Sequence, residues 1–292
     1  FIMNLRRYPT IKWQYFMSVN GLHTEYPAHR PGTSIGADCG QSSRHRHVYE
    51  ATVRSSGWNI VLLYDLGESL TPRLLLTAKA IGHQIISTLQ QRDNIAVLGV
   101  AKSIFHPSAS CLRSTLVSAT HDVKESIREF VDYMEIENER TNHSLGLLSA
   151  LDVIASSSLS LSSQNASVLL VYMSRGVLET VRQTRLVMKR VAERIESINT
   201  RVVISTFGLG LVSDEPSLAK KFLEDLAYQN FDKYNIQFSK VGNQGTLVLL
   251  DSTLSVAPLI NNFYNVVQEP KAYNHSPWDL VISEPYWDDD GK

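Results

Sequence analysis

A carboxylate and a hydroxyl stand four residues apart in Asp65-Leu66-Gly67-Glu68-Ser69, directly after the apolar run Asn59-Ile60-Val61-Leu62-Leu63-Tyr64. Taken alone, they read as a loop acid and a serine that caps the next helix. The other reactive side chains form weaker sets. His45 and His47 alternate on an extended stretch, with His23 and His29 nearby, but a zinc site needs three or four convergent ligands, so they read as surface histidines. Gly208-Leu209-Gly210 follows a strand-like run without the third glycine that opens a dinucleotide-binding helix. There is no Gly-x-Ser-x-Gly elbow, and no Ser-His-Asp set is recoverable from spacing, so the chain is expected not to be an enzyme. Asp288-Asp289-Asp290 reads as a solvated acidic loop. Cys39 and Cys111 lack metal-site spacing and are either one disulfide or two buried thiols. Asn142, Asn165 and Asn274 each head an Asn-x-Ser triplet, and with two cysteines they favour a secreted or lumenal setting.

The elements around Asp65 alternate between strand-like and helix-like patterns. Residues 59–64 form a continuous apolar run, as expected of a strand buried on both faces. Thr71-Pro72 supplies an N-cap and a proline at the first helical position, and Leu74, Ala78, Ile81, Ile85 and Leu89 mark one helix face. Strands are expected over 95–100, 168–172, 202–207 and 246–250. Helices are expected over 123–134, from near Ser144, and over 178–198, 218–226 and 253–264. This alternation implies an α/β fold, Rossmann-like, with a mostly parallel sheet and helices on both faces. Ligands of such sheets sit at the carboxyl ends of the strands, where Asp65 falls.

The two ends differ from this middle. Residues 1–55 carry seven Lys/Arg against three acids, and residues 265–292 carry two against six. Neither end alone is long enough to bury a core, so they are expected to form one discontinuous domain, with residues 56–264 inserted between them. Over all 292 residues the net charge is −1, with 43% apolar and 20% charged residues. That is ordinary globular composition, and it gives no global field for nucleic acid. No apolar run approaches the roughly 20 residues that span a bilayer. The chain starts at Phe1 and reads as a fragment, so the lack of an anchor in it says nothing of the full-length protein.

The Asp65–Ser69 loop resembles the start of the metal-ion-dependent adhesion site of von Willebrand factor A domains, which reads Asp-x-Ser-x-Ser. In that family, two hydroxyls and a carboxylate on one loop join a threonine and an aspartate from two others around Mg²⁺, and an acidic group of a partner completes the shell. The stretch Arg140-Thr141-Asn142-His143-Ser144-Leu145-Gly146 resembles the second loop, with Thr141 in the ligand position. Met173-Ser174-Arg175-Gly176 stands where the third loop reads Thr-Asp-Gly. The chain departs from the pattern twice: Gly67 has no hydroxyl, and Arg175 replaces the carboxylate with a positive charge. A divalent cation about 5 Å from a guanidinium is repelled by roughly 6 kcal/mol at an effective dielectric near 20. The resemblance therefore implies a degenerate site without a metal cofactor, in which Arg175 takes the ion's place and pairs with Asp65. Any residual Mg²⁺ or Ca²⁺ binding would fall on Asp65, Ser69 and Thr141. A glycan on Asn142 would crowd the rim.

Further stretches narrow the resemblance. Trp13-Gln14-Tyr15-Phe16, Asn20-Gly21-Leu22 and Tyr26-Pro27-Ala28-His29 look like the first part of a Cache domain. With Thr52-Val53-Arg54, Asp225-Leu226-Ala227-Tyr228-Gln229-Asn230 and Lys233-Tyr234, the chain resembles the VWFA and cache domain-containing proteins. These are relatives of the alpha-2/delta auxiliary subunits of voltage-gated calcium channels. The resemblance implies a glycoprotein on the extracellular face of the plasma membrane that modulates channel trafficking or gating through a pore subunit, without conducting ions. It also implies that the chain is a fragment of a membrane-anchored ectodomain whose anchor lies outside it. If Cys39 and Cys111 pair, the disulfide would tie the Cache head to the A domain. The family's small-molecule segment reads Arg-x-Arg-Pro-Trp-Tyr; here Arg44-His45-Arg46-His47-Val48-Tyr49 lacks the Trp, so a pocket using Arg46 and Tyr49 stands against a basic loop entering a strand. Two other readings stay open: a metal-dependent adhesion or matrix receptor, and a Cache-type small-molecule sensor.

Overall fold

The computed structural model describes residues 2–10, 14–17, 23–26, 58–91, 93–157, 167–211, 217–240 and 244–250. The chain divides into two compact units, Phe1–Ser56 with Tyr273–Lys292, and Gly57–Ala272. In the first unit, helix α1 (Ile2–Arg7) precedes β1 (Gln14–Met17), which pairs antiparallel with β2 (His23–Tyr26).

The second unit is built on β3 (Asn59–Asp65), β4 (Asn94–Val100), β7 (Ser167–Ser174), β8 (Arg201–Leu209) and β9 (Leu247–Leu250). These strands are parallel in the order β4-β3-β7-β8-β9. Short β5 (Ile104–Phe105) and β6 (Val117–Ser118) pair antiparallel with β4. All seven residues of β3 are buried, as its unbroken apolar sequence requires of a strand covered on both faces. Alternation divides them: Ile60, Leu62 and Tyr64 enter one core, and Val61 and Leu63 the other.

Helices α2 (Pro72–Thr88) and α4 (His121–Asp132) cover the first face. Helices α5 (His143–Ser157), α6 (Val181–Ser197) and α7 (Leu218–Ala227) cover the second. A short α3 (Cys111–Ser114) and a 3₁₀ turn at Phe231–Tyr234 complete the unit. The architecture is thus α/β and Rossmann-like, with a mostly parallel sheet and helices on both faces.

Helix starts follow side-chain caps. Thr71 Oγ1 accepts from Leu74 N, Thr120 Oγ1 from Val123 N and Ser217 Oγ from Lys220 N. The helix expected from residue 178 begins at Val181, because Thr180 is extended and its hydroxyl accepts from Gln183 N. The helix expected over 253–264 lies outside the described residues. No helix among the described residues is long and apolar enough to cross a membrane.

After β3 the chain crosses to β4 on one side, and it later returns to β7 on the other side of β3. The strand order reverses between β3 and β7. In open parallel sheets that reversal opens a crevice at the strands' carboxyl ends. Asp65 ends β3 and Ser174 ends β7.

Candidate functional site

Asp65 is 1% exposed at the floor of this crevice, and its carboxylate is held by three donors. Gly67 N donates to Oδ1 at 3.0 Å, Thr141 Oγ1 donates to the same oxygen, and Ser174 Oγ donates to Oδ2 at 2.6 Å. Ser174 Oγ in turn accepts from Gly176 N at 2.8 Å. Gly176 has φ +65°, and a Cβ there would stand 2.8 Å from Leu223 Cγ, so this turn requires glycine.

The surrounding loops are pinned by backbone bonds. Leu66 N donates to Val100 O (2.7 Å), Glu137 N to Leu66 O (2.7 Å), Glu68 N to Glu139 O (2.9 Å) and Asn142 N to Ala101 O (2.8 Å). Asn142 Oδ1 caps α5 by accepting from Leu145 N at 3.1 Å. Its side chain is exposed beside Thr141.

Arg175 differs from its expected place. No Asp65–Arg175 ion pair forms. Arg175 Nη1 donates to Ser69 O at 2.7 Å, and its buried Nε finds no partner. The physical reason is that neutral donors already surround the carboxylate, while the guanidinium turns to a loop carbonyl. The cation that does form ion pairs at the rim is Arg140, with Glu68 at 3.2 Å and with Glu179. Lys102 pairs with Glu139 at 2.9 Å.

Gly67 is packed against the second loop. A Cβ there would collide with Thr141 Oγ1 and lie 2.9 Å from Thr141 N and 3.1 Å from Glu139 O. As arranged, these residues do not fit the oxygen shell that Mg²⁺ demands. Both Asp65 oxygens accept from protein donors, position 67 offers no oxygen, and Arg175 brings positive charge. Among the described residues, no group of three His, Cys, Asp or Glu side chains is placed to hold a metal ion.

Three participants were not foreseen: Ser174, Tyr172 and His143. The signal for Ser174 lies in register, since Tyr64 pairs with Met173 and the next residues of β3 and β7 therefore stand side by side. Beneath them, Tyr172 Oη and His143 Nδ1 are 2.6 Å apart, and His143 Nε2 lies 2.9 Å from Val177 O. Burial, and then the Asp65 charge, push the Tyr172 hydroxyl well above its ordinary range. A protonated Tyr172 donates to Nδ1, which leaves Nε2 to donate to the carbonyl. Buried polar groups thus run from the second loop to the third below the crevice.

Other expected positions fall elsewhere. Cys111 is an exposed free thiol at the start of α3, neither bridged nor buried, and Cys39 lies outside the described residues. Arg46, Tyr49, Asn165, Asn274, His29, His45, His47 and Asp288–Asp290 also lie outside them. Gly208 lies near the end of β8 and Gly210 just after it; a Cβ added at either would stand 3.0 Å from a leucine side chain, Leu249 for Gly208 and Leu74 for Gly210.

No family model matches the chain. A VWFA and cache domain-containing protein of Drosophila melanogaster is 26% identical over 207 residues, which is 68% of this chain and 14% of that protein. The human voltage-dependent calcium channel subunit alpha-2/delta-3 is 32% identical over 136 residues, 45% of this chain and 12% of the subunit. A solved structure described as von Willebrand factor type A from Catenulispora acidiphila gives a TM-score of 0.48 at 16% identity, over 72% of this chain and 42% of that one. The chain is therefore similar in sequence to a VWFA and cache domain-containing protein and to calcium channel alpha-2/delta subunits, and the matches span only 14% and 12% of the length of these relatives.

Proposed function

We infer that the chain is a non-enzymatic extracellular interaction module of an alpha-2/delta-like auxiliary subunit, and that it modulates the trafficking or gating of a voltage-gated calcium channel without a metal ion in its crevice. The observation that carries the metal-free reading is the closure of Asp65 by Gly67, Thr141 and Ser174, with Arg175 fixed on Ser69 O above it. The tie to channels rests on the similarity to alpha-2/delta subunits. In this reading the A-type domain is inserted between the two parts of a Cache domain, at 1–55 and 265–292. The protein is displayed on the extracellular face of the plasma membrane, and the carbohydrate sites are Asn142, Asn165 and Asn274. Contact with the pore subunit depends on shape and polar pairing instead of a shared metal.

Two measurements test this reading. Calorimetric titration of the chain with Mg²⁺ and Ca²⁺ is expected to give no saturable heat to low millimolar. Saturable binding that Asp65→Ala removes would turn the reading into that of a metal-dependent adhesion receptor. Affinity purification of the full-length protein from cells that express candidate pore subunits is expected to recover a pore subunit equally with and without chelator. Recovery of none refutes the channel assignment.

A further inference from the structure

Beside the crevice, an open groove of about 340 Å³ runs between α2 and the segment that follows α4. Leu75 and Leu76 form one wall, Met134 and Ile136 the other, and Lys79 and Glu135 are its charged lining. The sequence makes this groove out of an excess of apolar residues. Leu74-Leu75-Leu76 puts three leucines on successive helix positions, two of which are buried; the third, Leu76, is left 66% exposed. Tyr133 follows α4 and is 77% exposed immediately before Met134. A single exposed apolar side chain needs no explanation, but Leu76 lines a concave apolar surface.

The charges around the groove are unequal. Between Glu129 and Glu139 the chain carries five acids and no basic residue. Asp132 faces His83 at 2.8 Å and Glu139 pairs with Lys102. Glu129, Glu135 and Glu137 make no ion pair among the described residues and are exposed. Lys79, the one cation of the lining among the described residues, already donates to the Asp132 carbonyl at 2.7 Å. Among the described residues, the lining offers no convergent polar groups that would orient a small molecule, so the surface suits an apolar anchor from a macromolecule.

We propose that this groove docks a partner protein segment that inserts an aliphatic or aromatic side chain between Leu76 and Ile136 and sets a Lys or Arg against Glu135 and Glu137. The unpaired carboxylates select a basic segment by steering and by suppressing acidic ones. The groove is mechanically joined to the crevice. Glu137 N holds Leu66 O and Glu68 N holds Glu139 O, so the segment that forms one wall also braces the Asp65 loop. This extends the interaction-module reading without resting on metal chemistry or on channel identity.

A random twelve-residue peptide library displayed on phage, selected against the chain, tests the proposal. Enriched sequences are expected to carry a Leu, Ile, Phe or Trp with a Lys or Arg within three positions. The synthetic form of the top sequence should bind the chain and lose at least tenfold in affinity to Leu76→Ser and to Glu135→Gln, with weaker binding in higher salt. Circular dichroism establishes that each variant is folded, and Glu135→Gln keeps the test open should Leu76→Ser fail to fold. Enrichment of acidic sequences, no enrichment, or binding indifferent to both substitutions overturns the proposal. So does concentration-dependent dimerisation that Leu76→Ser abolishes, because the occupant would then be a second copy. Metal titration and channel recovery are separate readouts, and either can fail while this one succeeds.

Discussion

The Thr141 hydroxyl occupies the space into which a side chain on residue 67 would grow, while donating to Asp65. Glycine at position 67 and threonine at 141 are therefore one feature. The missing hydroxyl has let the second loop close onto the first. Gly67→Ser is expected to lower stability by about 1–3 kcal/mol through overpacking, without creating Mg²⁺ binding. Denaturant unfolding measures the first effect and calorimetry the second. Magnesium binding by Gly67→Ser at unchanged stability would show that the two loops separate freely.

How much of this was readable beforehand differs by element. The core strands β3 and β7 announce themselves as apolar runs, since burial on both faces leaves no room for polar alternation. Helix α2 does so through Thr71-Pro72. The resemblance pointed to Asp65 and Thr141, and the structure brings the two together. Ser174 was missed because a strand-end hydroxyl becomes a partner only through inter-strand register. Arg175 was misplaced because a long side chain has several acceptors within reach, and sequence does not say that the carboxylate is already satisfied. His143 was hidden inside a glycosylation triplet, on a helix whose burial reaches both sides, so that no polar face marks it.

Tyr64 is fully buried against α2, and its hydroxyl has no hydrogen-bond partner among the described residues. An orphaned buried hydroxyl costs its desolvation, so Tyr64→Phe is expected to be neutral or stabilising by up to about 1 kcal/mol near pH 7. The opposing residue, Gly82, admits nothing larger. An added Cβ would overlap the same hydroxyl and lie 2.9 Å from Tyr64 Cζ, so Gly82→Ala is expected to destabilise by about 1–3 kcal/mol. In Tyr64→Phe background the cost of Gly82→Ala should shrink, because the clashing oxygen is gone. A double-mutant cycle by urea unfolding shows this coupling, and simple additivity would contradict it.

Alkaline pH should unfold the chain through the same kind of group. Tyr64, Tyr172 and Tyr234 are all raised above the ordinary tyrosine value of 10.0. Burial leads in each case, reinforced by Asp132 for Tyr64, by Asp65 for Tyr172 and by Asp225 for Tyr234. The unfolded chain loses these protons first, so the native state binds more protons above about pH 10 and stability falls as pH rises. Below the unfolded value, the contribution is fully present. Urea midpoints between pH 8 and 11 should drop steeply above 10, and Tyr64→Phe should flatten that drop. An identical slope in Tyr64→Phe would mean that Tyr64 ionises without unfolding.

Asp225 fastens the end of α7 to the 3₁₀ turn. It is 6% exposed and accepts from Asn230 Nδ2 (3.0 Å), Lys233 Nζ (2.6 Å) and Tyr234 Oη (2.8 Å). Asp225→Ala orphans the Tyr234 hydroxyl and the Asn230 amide, and is expected to cost about 2–3 kcal/mol. Lys233→Met should cost less than about 1 kcal/mol, because its side chain is mostly exposed and the pair is screened. Equal losses for both substitutions would mean that the ion pair, and not the buried hydrogen bonds, holds the turn.

Cys111 stands exposed as a free thiol on α3, a helix of only four residues. Because the residue is exposed, a small alkylating reagent should reach it in the folded chain without reductant. Iodoacetamide under native conditions, followed by digestion and mass spectrometry, is expected to mark Cys111 stoichiometrically, at a rate unchanged by prior reduction. Accessibility alone governs this result, since α3 need not unfold for the sulfur to be attacked. A crosslinked peptide joining Cys111 to Cys39, with labelling only after reduction, would restore the disulfide and require that α3 be tethered to the amino-terminal segment.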